Sequence, residues 1–150
     1  MLSFFSEKLG YNYPWDKYHQ VVVSDYVSGA MENTGAVIYG KWVFTSSQER
    51  IDYNWENVVA HELFHHWFGD LVTCESWANL PLNESFATYG EYLYSSFLYG
   101  EDERQINLWK KKQAYFREYN NKYSRPMVHP YWKYPNQNFD SHIYPRGAVV

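Results

Sequence analysis

Val59-Ala60-His61-Glu62-Leu63-Phe64-His65-His66-Trp67-Phe68-Gly69-Asp70 is the stretch on which the reading of this chain turns. His61 and His65 stand four apart. On an α-helix that spacing puts two imidazoles on one face, one turn apart, within reach of a single metal ion. Glu62 sits beside the first histidine, off the ligand face but close to any water held there. This His-Glu-x-x-His pattern means two zinc ligands and a general base. A surface helix carrying the pattern by coincidence would have polar flanks. Here the flanks are Trp55, Val58, Val59, Leu63, Phe64, Trp67 and Phe68, so the spacing predicts a buried helix from about Trp55 to Asp70, with Asn54 as its cap. Two histidines and a carboxylate are costly to bury unpaired, and a metal removes that cost.

A catalytic zinc site needs a third protein ligand, and its place separates the zinc-peptidase classes. One class puts Gly three residues after the second His and a third His three further on. Those positions hold Phe68 and Leu71, which excludes it. In the other class the ligand is a Glu on a following helix. Leu82 to Leu93 has helical periodicity through Phe86, Tyr89 and Leu93, with Glu84 at its start and Glu91 two turns later. By position alone, Glu84 is also a first-turn glutamate favoured by the helix dipole, and Glu91 also a solvated helix charge.

Four motifs in order carry a resemblance. They are His61-Glu62-x-x-His65, then after eighteen residues Glu84 in an Asn-Glu-x-Phe-Ala context, Gly29-Ala30-Met31-Glu32-Asn33 upstream, and Tyr144-Pro145-Arg146-Gly147-Ala148 downstream. Together they resemble the gluzincin aminopeptidases of the aminopeptidase N and leukotriene hydrolase type. The resemblance implies an α+β, thermolysin-like catalytic fold, a small mixed sheet carrying Glu32 above a helical part. It implies one zinc ion on His61, His65 and Glu84, with Glu62 as the general base for a zinc-activated water and Tyr144 as the donor to the developing oxyanion. Glu32 would pair with the substrate's free α-amine, Gly29, Ala30, Met31 and Asn33 would line the substrate, and Glu91 would support the zinc ligands from behind. The implied substrates are peptides with a free N-terminus. The alternatives are an epoxide-opening enzyme of the leukotriene hydrolase kind, or a piece that binds zinc and turns over nothing. Family members are several times longer, so residues 1–150 are expected to be part of the catalytic domain without the β-rich and helical domains that flank it. Four departures stand out: Pro81 for Trp, Ser85 for Gly, Arg146 for Lys and Asp70 for Asn. None removes a catalytic group.

The rest of the chain is consistent with a folded domain. Sixteen tyrosines, nine phenylalanines and seven tryptophans are far more than a disordered chain carries. A net charge of −4 argues against a nucleic-acid partner and suits a pocket that receives an ammonium group. No apolar run approaches membrane-spanning length, and nothing in these residues reads as a signal peptide. The single cysteine, Cys74, excludes an internal disulfide and reads as a small core residue.

Around the motifs, Leu2 to Leu9 read as a short helix ended by Gly10, and Val21-Val22-Val23 as a strand. Ala36 to Phe44 give further strand, broken near Gly40. Ser46 to Tyr53 read as a polar loop. Pro81 is expected to start the second helix and Gly100 to end it, with a third from Glu101 to Tyr123 whose Lys110, Lys111 and Lys112 form a solvated face. Arg125 to Asp140 read as an irregular loop, and Ser141 to Val150 as the start of another helix.

Overall fold

The computed structural model describes residues 1–150. Helix α1 (Leu2–Leu9) leads into three strands, β1 (His19–Val23), β2 (Ala30–Met31) and β3 (Ala36–Gly40), followed by the one-turn α2 (Glu49–Asp52). Then come α3 (Glu56–Phe64), the long α4 (Pro81–Asn121) and the short α5 (Pro145–Val149). The sheet order is β1-β3-β2, with β1 parallel and β2 antiparallel to the central β3. Strands come first and helices follow, so the segregation is that of an α+β fold. No helix is long and apolar enough to cross a membrane.

The core lies under α3. Phe5 of α1 meets Ala60, Leu63, Phe64 and Trp67, all buried, with Leu93 and Tyr94 of α4 closing the far side. Phe5 and Phe64 pack edge-on with ring centres 4.9 Å apart, a geometry the ring quadrupoles favour. Gly10 ends α1 in the left-handed conformation, as its sequence position predicts.

α4 is two helical arms folded at Gly100, whose φ of 85° only glycine adopts readily. The arms lie antiparallel: Asn107 Nδ2 donates to Ser95 Oγ at 2.9 Å, and Arg104 pairs with the Tyr92 hydroxyl. The expected helix stop at Gly100 is therefore present. The first arm packs against α3. Gly90 faces the Phe64 side chain so closely that a Cβ there would lie within 2.8 Å of three of its atoms.

Several local expectations need correction. The helix through the two histidines is shorter than Trp55 to Asp70. After Phe64 the bonding tightens to three-residue steps, His66 N–H to Leu63 O and Trp67 N–H to Phe64 O. Gly69 then turns the chain at φ 146°, and a Cβ there would crowd His65 Nδ1 and O at 3.0 Å. Asn54 is one residue before the formal cap, Trp55, yet its Oδ1 accepts the Glu56 N–H at 2.8 Å. Within the polar segment Ser46–Tyr53, Ser46 and Glu49 bond reciprocally and form α2. On the first arm of α4, the apolar Phe86 and Tyr89 are exposed, at 42% and 40%, while Glu84, Ser85, Ala87, Thr88 and Gly90 face inward.

Candidate active site

Four segments converge on one cleft of about 720 Å³. The β2 segment contributes Gly29, Ala30, Met31 and Glu32; α3 contributes His61 and Glu62; the α4 start contributes Asn83 and Glu84; Tyr144 comes from the turn before α5. The opposite wall is Thr73 to Trp77 with Phe139. Cys74 is half-buried and lines this cleft, so it is not a core residue. His65 lies beneath the floor, 1% exposed. Asn33 lies in the β2–β3 turn, where its carbonyl accepts the Ala36 N–H, and is not part of the cleft wall.

His61 Nε2, His65 Nε2 and Glu84 Oε2 form a triangle with edges of 3.1, 3.2 and 3.3 Å. His65 keeps its place one turn beyond His61 although the helix formally ends at Phe64, because it retains helical dihedrals and its N–H still bonds the His61 carbonyl. A tetrahedral ion with bonds of about 2.0–2.1 Å needs ligand–ligand edges of about 3.3–3.4 Å, so this triangle has the size of a zinc face.

The tautomers agree. His61 Nδ1 is 2.8 Å from Glu91 Oε1, and His65 Nδ1 is 3.0 Å from the Phe68 carbonyl. Each Nδ1–H is thereby spoken for, and both Nε2 lone pairs face the carboxylate and each other. Two imidazole nitrogens and a carboxylate converging on one point favour positive charge there, carried by a proton or by a metal ion.

The charges of the side chains make the same demand. Burial works against a charged His61, but Glu84 and Glu91 prevail and raise it to about 10. Against burial, His61 and His65 hold Glu84 far below the usual carboxylate range. A divalent cation meets that demand with both imidazoles neutral. The residues present therefore fit zinc.

Glu62 is 7% exposed beside this triangle. Burial raises its carboxyl to about 7, although the two histidines pull it down. A carboxylate there can exchange protons near neutrality. Burial, with the Glu84 carboxylate beside it, holds the Tyr144 phenol far above its ordinary value, so it stays a donor. Its ring lies 6.0 Å from that of His61, at 24°. Glu32 Oε1 is 3.9 Å from His65 Nδ1, which brings the β2 segment against that histidine. His66, the third histidine, points the other way. It is fully buried against Tyr13 and Tyr18, with Nδ1 2.6 Å from the Tyr13 hydroxyl, and burial lowers it to about 4.

Three contacts had no clear signal in the sequence. Lys111 is not part of a solvated face, since its Nζ is 3.1 Å from Glu91 Oε2 and its side chain is 15% exposed. Only the fold at Gly100 reveals that partnership. Ser85 Oγ donates to the Ile143 carbonyl at 2.7 Å and so ties the Glu84 helix to the Tyr144 segment. The Arg125–Asp140 pair lies behind the same segment. Of the other departures, Arg146 donates to the Arg125 carbonyl and lies over the Tyr115 ring, and Asp70 Oδ2 lies 3.6 Å from His66 Nε2.

The Peptidase family M1 domain matches residues 1–150. The chain is 37% identical to Aminopeptidase N of Streptomyces lividans over 164 aligned positions, covering 99% of this chain and 18% of that protein. It is 45% identical to Aminopeptidase N of Mus musculus over 102 positions, covering 65% of this chain and 10% of that protein. Its fold is similar to the crystal structure of the M1 zinc metallopeptidase from Deinococcus radiodurans, with a TM-score of 0.71 at 30% identity, covering 98% of this chain and 29% of that one. The chain thus spans less than a fifth of the length of these two curated relatives.

Proposed function

The chain belongs to peptidase family M1, and from that premise we propose that it is the core of a zinc aminopeptidase that removes the N-terminal residue of peptides. The observation that carries this reading is the ligand triangle of His61, His65 and Glu84, with Glu62 buried beside it and Tyr144 across the cleft. His61, His65 and Glu84 would hold the zinc, which when bound would supply Lewis acidity to the scissile carbonyl and to a water.

Glu62 takes the proton of the attacking water at its carboxylate and passes it to the leaving amine. Burial raises this carboxyl above the ordinary carboxylate range, which favours its holding and releasing the proton. As the carbonyl oxygen gains charge, Tyr144 donates its hydroxyl to it. A donor placed for the charged oxygen is worth roughly 3–4 kcal/mol of barrier.

Glu32 rewards a free α-ammonium at the amino end of the substrate. The cleft supports this role, since Glu32, Glu62, Glu75 and Glu84 line it and no lysine or arginine does. Ala30 lies in β2, an edge strand, with Gly29 just before it, where an extended peptide can add as a further strand. Glu91 fixes the His61 tautomer from behind.

The test is hydrolysis of an alanyl or leucyl amide reporter beside its N-acetylated twin by the zinc-loaded chain. Cleavage of the free-amine form alone, abolished by Glu62→Gln, is the expected result. Equal cleavage of both forms would overturn the role of Glu32.

A further inference from the structure

Tyr144 caps a helix of five residues, and a single helical turn does not hold itself in place. The segment before it, from Arg125 to Asp140, is almost wholly irregular. Something else fixes where the Tyr144 hydroxyl points.

Behind the segment lies a buried ion pair. Arg125 Nε donates to Asp140 Oδ2 at 2.7 Å and Nη2 to Oδ1 at 2.8 Å, the bidentate fork that fixes orientation as well as distance. The remaining guanidinium N–H groups go to the carbonyls of Pro126, Met127 and Asn138, at 2.8, 3.2 and 3.1 Å. All five donors are thus used. Asp140 passes the constraint forward. Its Oδ1 accepts the N–H groups of His142 and Ile143 at 3.0 and 3.3 Å, and its backbone carbonyl accepts that of Tyr144 at 3.2 Å. From the opposite side, the Arg125 N–H reaches His142 Nε2 at 3.3 Å, and Tyr123 donates to Asp140 Oδ2 at 2.9 Å. The side chains of Arg125 and Asp140 are 6% and 5% exposed. Neither residue lines the cleft.

A buried pair of this kind is a poor source of net stability, since apolar groups of equal volume often do as well. What it supplies is direction. We propose that Arg125 and Asp140 are positioning residues that set the Tyr144 hydroxyl for the reaction and act on catalysis only through it. The inference rests on the role given to Tyr144 above. Misplacing a catalytic group by about 1 Å costs on the order of 100-fold in rate, so a loosened clamp must be visible in turnover.

The experiment is a double-mutant cycle on the zinc-loaded chain. Asp140→Asn and Arg125→Lys are each made alone and with Tyr144→Phe, and zinc content and thermal unfolding are measured for every variant. Two readouts are taken: kcat and KM on the leucyl amide, and calorimetric affinity for an α-amino phosphinic dipeptide, whose tetrahedral oxygens imitate the charged state. Arg125→Lys keeps the charge without the fork and serves where Asp140→Asn does not fold. The expected result is a loss of about tenfold or more in kcat and in phosphinate affinity, with KM little changed. With Tyr144→Phe already present, the same substitutions cost less than about twofold, because coupled residues are not additive. Equal losses in both backgrounds would make the pair merely structural and overturn the proposal. Loss on Tyr144→Phe with none on the clamp variants overturns the clamp alone. No loss on Tyr144→Phe overturns the role of Tyr144 and the clamp together. The phosphinate affinity decides in the same way if the chain turns over slowly.

Discussion

Lys111 Nζ lies 3.1 Å from one oxygen of Glu91, whose other oxygen is 2.8 Å from His61 Nδ1. A cation on the second arm of α4 thus steadies the carboxylate that steadies His61 on α3. Glu91 ionises below the ordinary range because Lys111 and His61 outweigh its burial. Lys111→Met should leave that carboxylate without its counter-charge and destabilise the chain by about 2 kcal/mol. It should also weaken zinc binding by about tenfold or more, as loss of an outer partner does. Denaturant unfolding and chelator competition measure the two. An unchanged chain would place the pair with exposed ion pairs of no consequence.

Gly90→Ala should separate α3 from the first arm of α4. The new methyl would meet Phe64, which is 1% exposed and cannot retreat between Phe5 and Phe68. Overpacking of this kind costs about 1–3 kcal/mol, and the better helix propensity of alanine returns about 1. A net loss of up to about 2 kcal/mol in denaturant is expected. A gain would mean that the helices have slack between them.

Zinc should stabilise the chain itself. At a free concentration about 1,000-fold above its dissociation constant the ion adds about 4 kcal/mol, because the unfolded chain has no assembled triangle. A chelator should lower the thermal midpoint accordingly, and His65→Ala should remove the response. A chelator response that survives His65→Ala would point to other ligands.

Acid should loosen the Tyr144 segment through Glu118. Its carboxylate accepts the Ser141 N–H at 2.8 Å and pairs with Lys122 at 3.0 Å; burial opposes the charge, yet the carboxyl is held at about 2. The folded value lies below the ordinary 4.5, so the folded chain binds fewer protons between the two. The stability from this group is fully present above about pH 4.5 and fades as pH falls towards 2. The gap in thermal midpoint between the chain and Glu118→Gln should therefore be widest near neutrality and close near pH 2. A gap independent of pH would show that the carboxylate's charge is not what matters.

How much of this was legible beforehand follows physical lines. The convergence of His61, His65 and Glu84 was readable because the motif fixes residue type and spacing together. Gly10 and Gly100 were readable because a left-handed turn leaves few residues to choose from. The inward face of α4 was not. Phe86 and Tyr89 mark the apolar stripe, but Glu84 turns inward to His61 and His65, and close contact with α3 and α5 claims Ser85, Ala87 and Gly90. Phe86 instead stacks on Phe68, its ring centre 4.5 Å away. Lys111 and the Arg125–Asp140 pair depend on partners fifteen or more residues distant, and nothing local announces such partners.

The three ligands all fall between His61 and Glu84, whereas Tyr144 arrives sixty residues after Glu84. Closing the short loop costs less chain entropy than closing the long one, and contacts near in sequence form sooner. Metal capture and completion of the cleft are therefore separable events in time. If His61, His65 and Glu84 hold zinc as proposed, a chain still being synthesised could bind it before Asp140 and Tyr144 exist to be placed, and the ion would serve folding before it served the reaction.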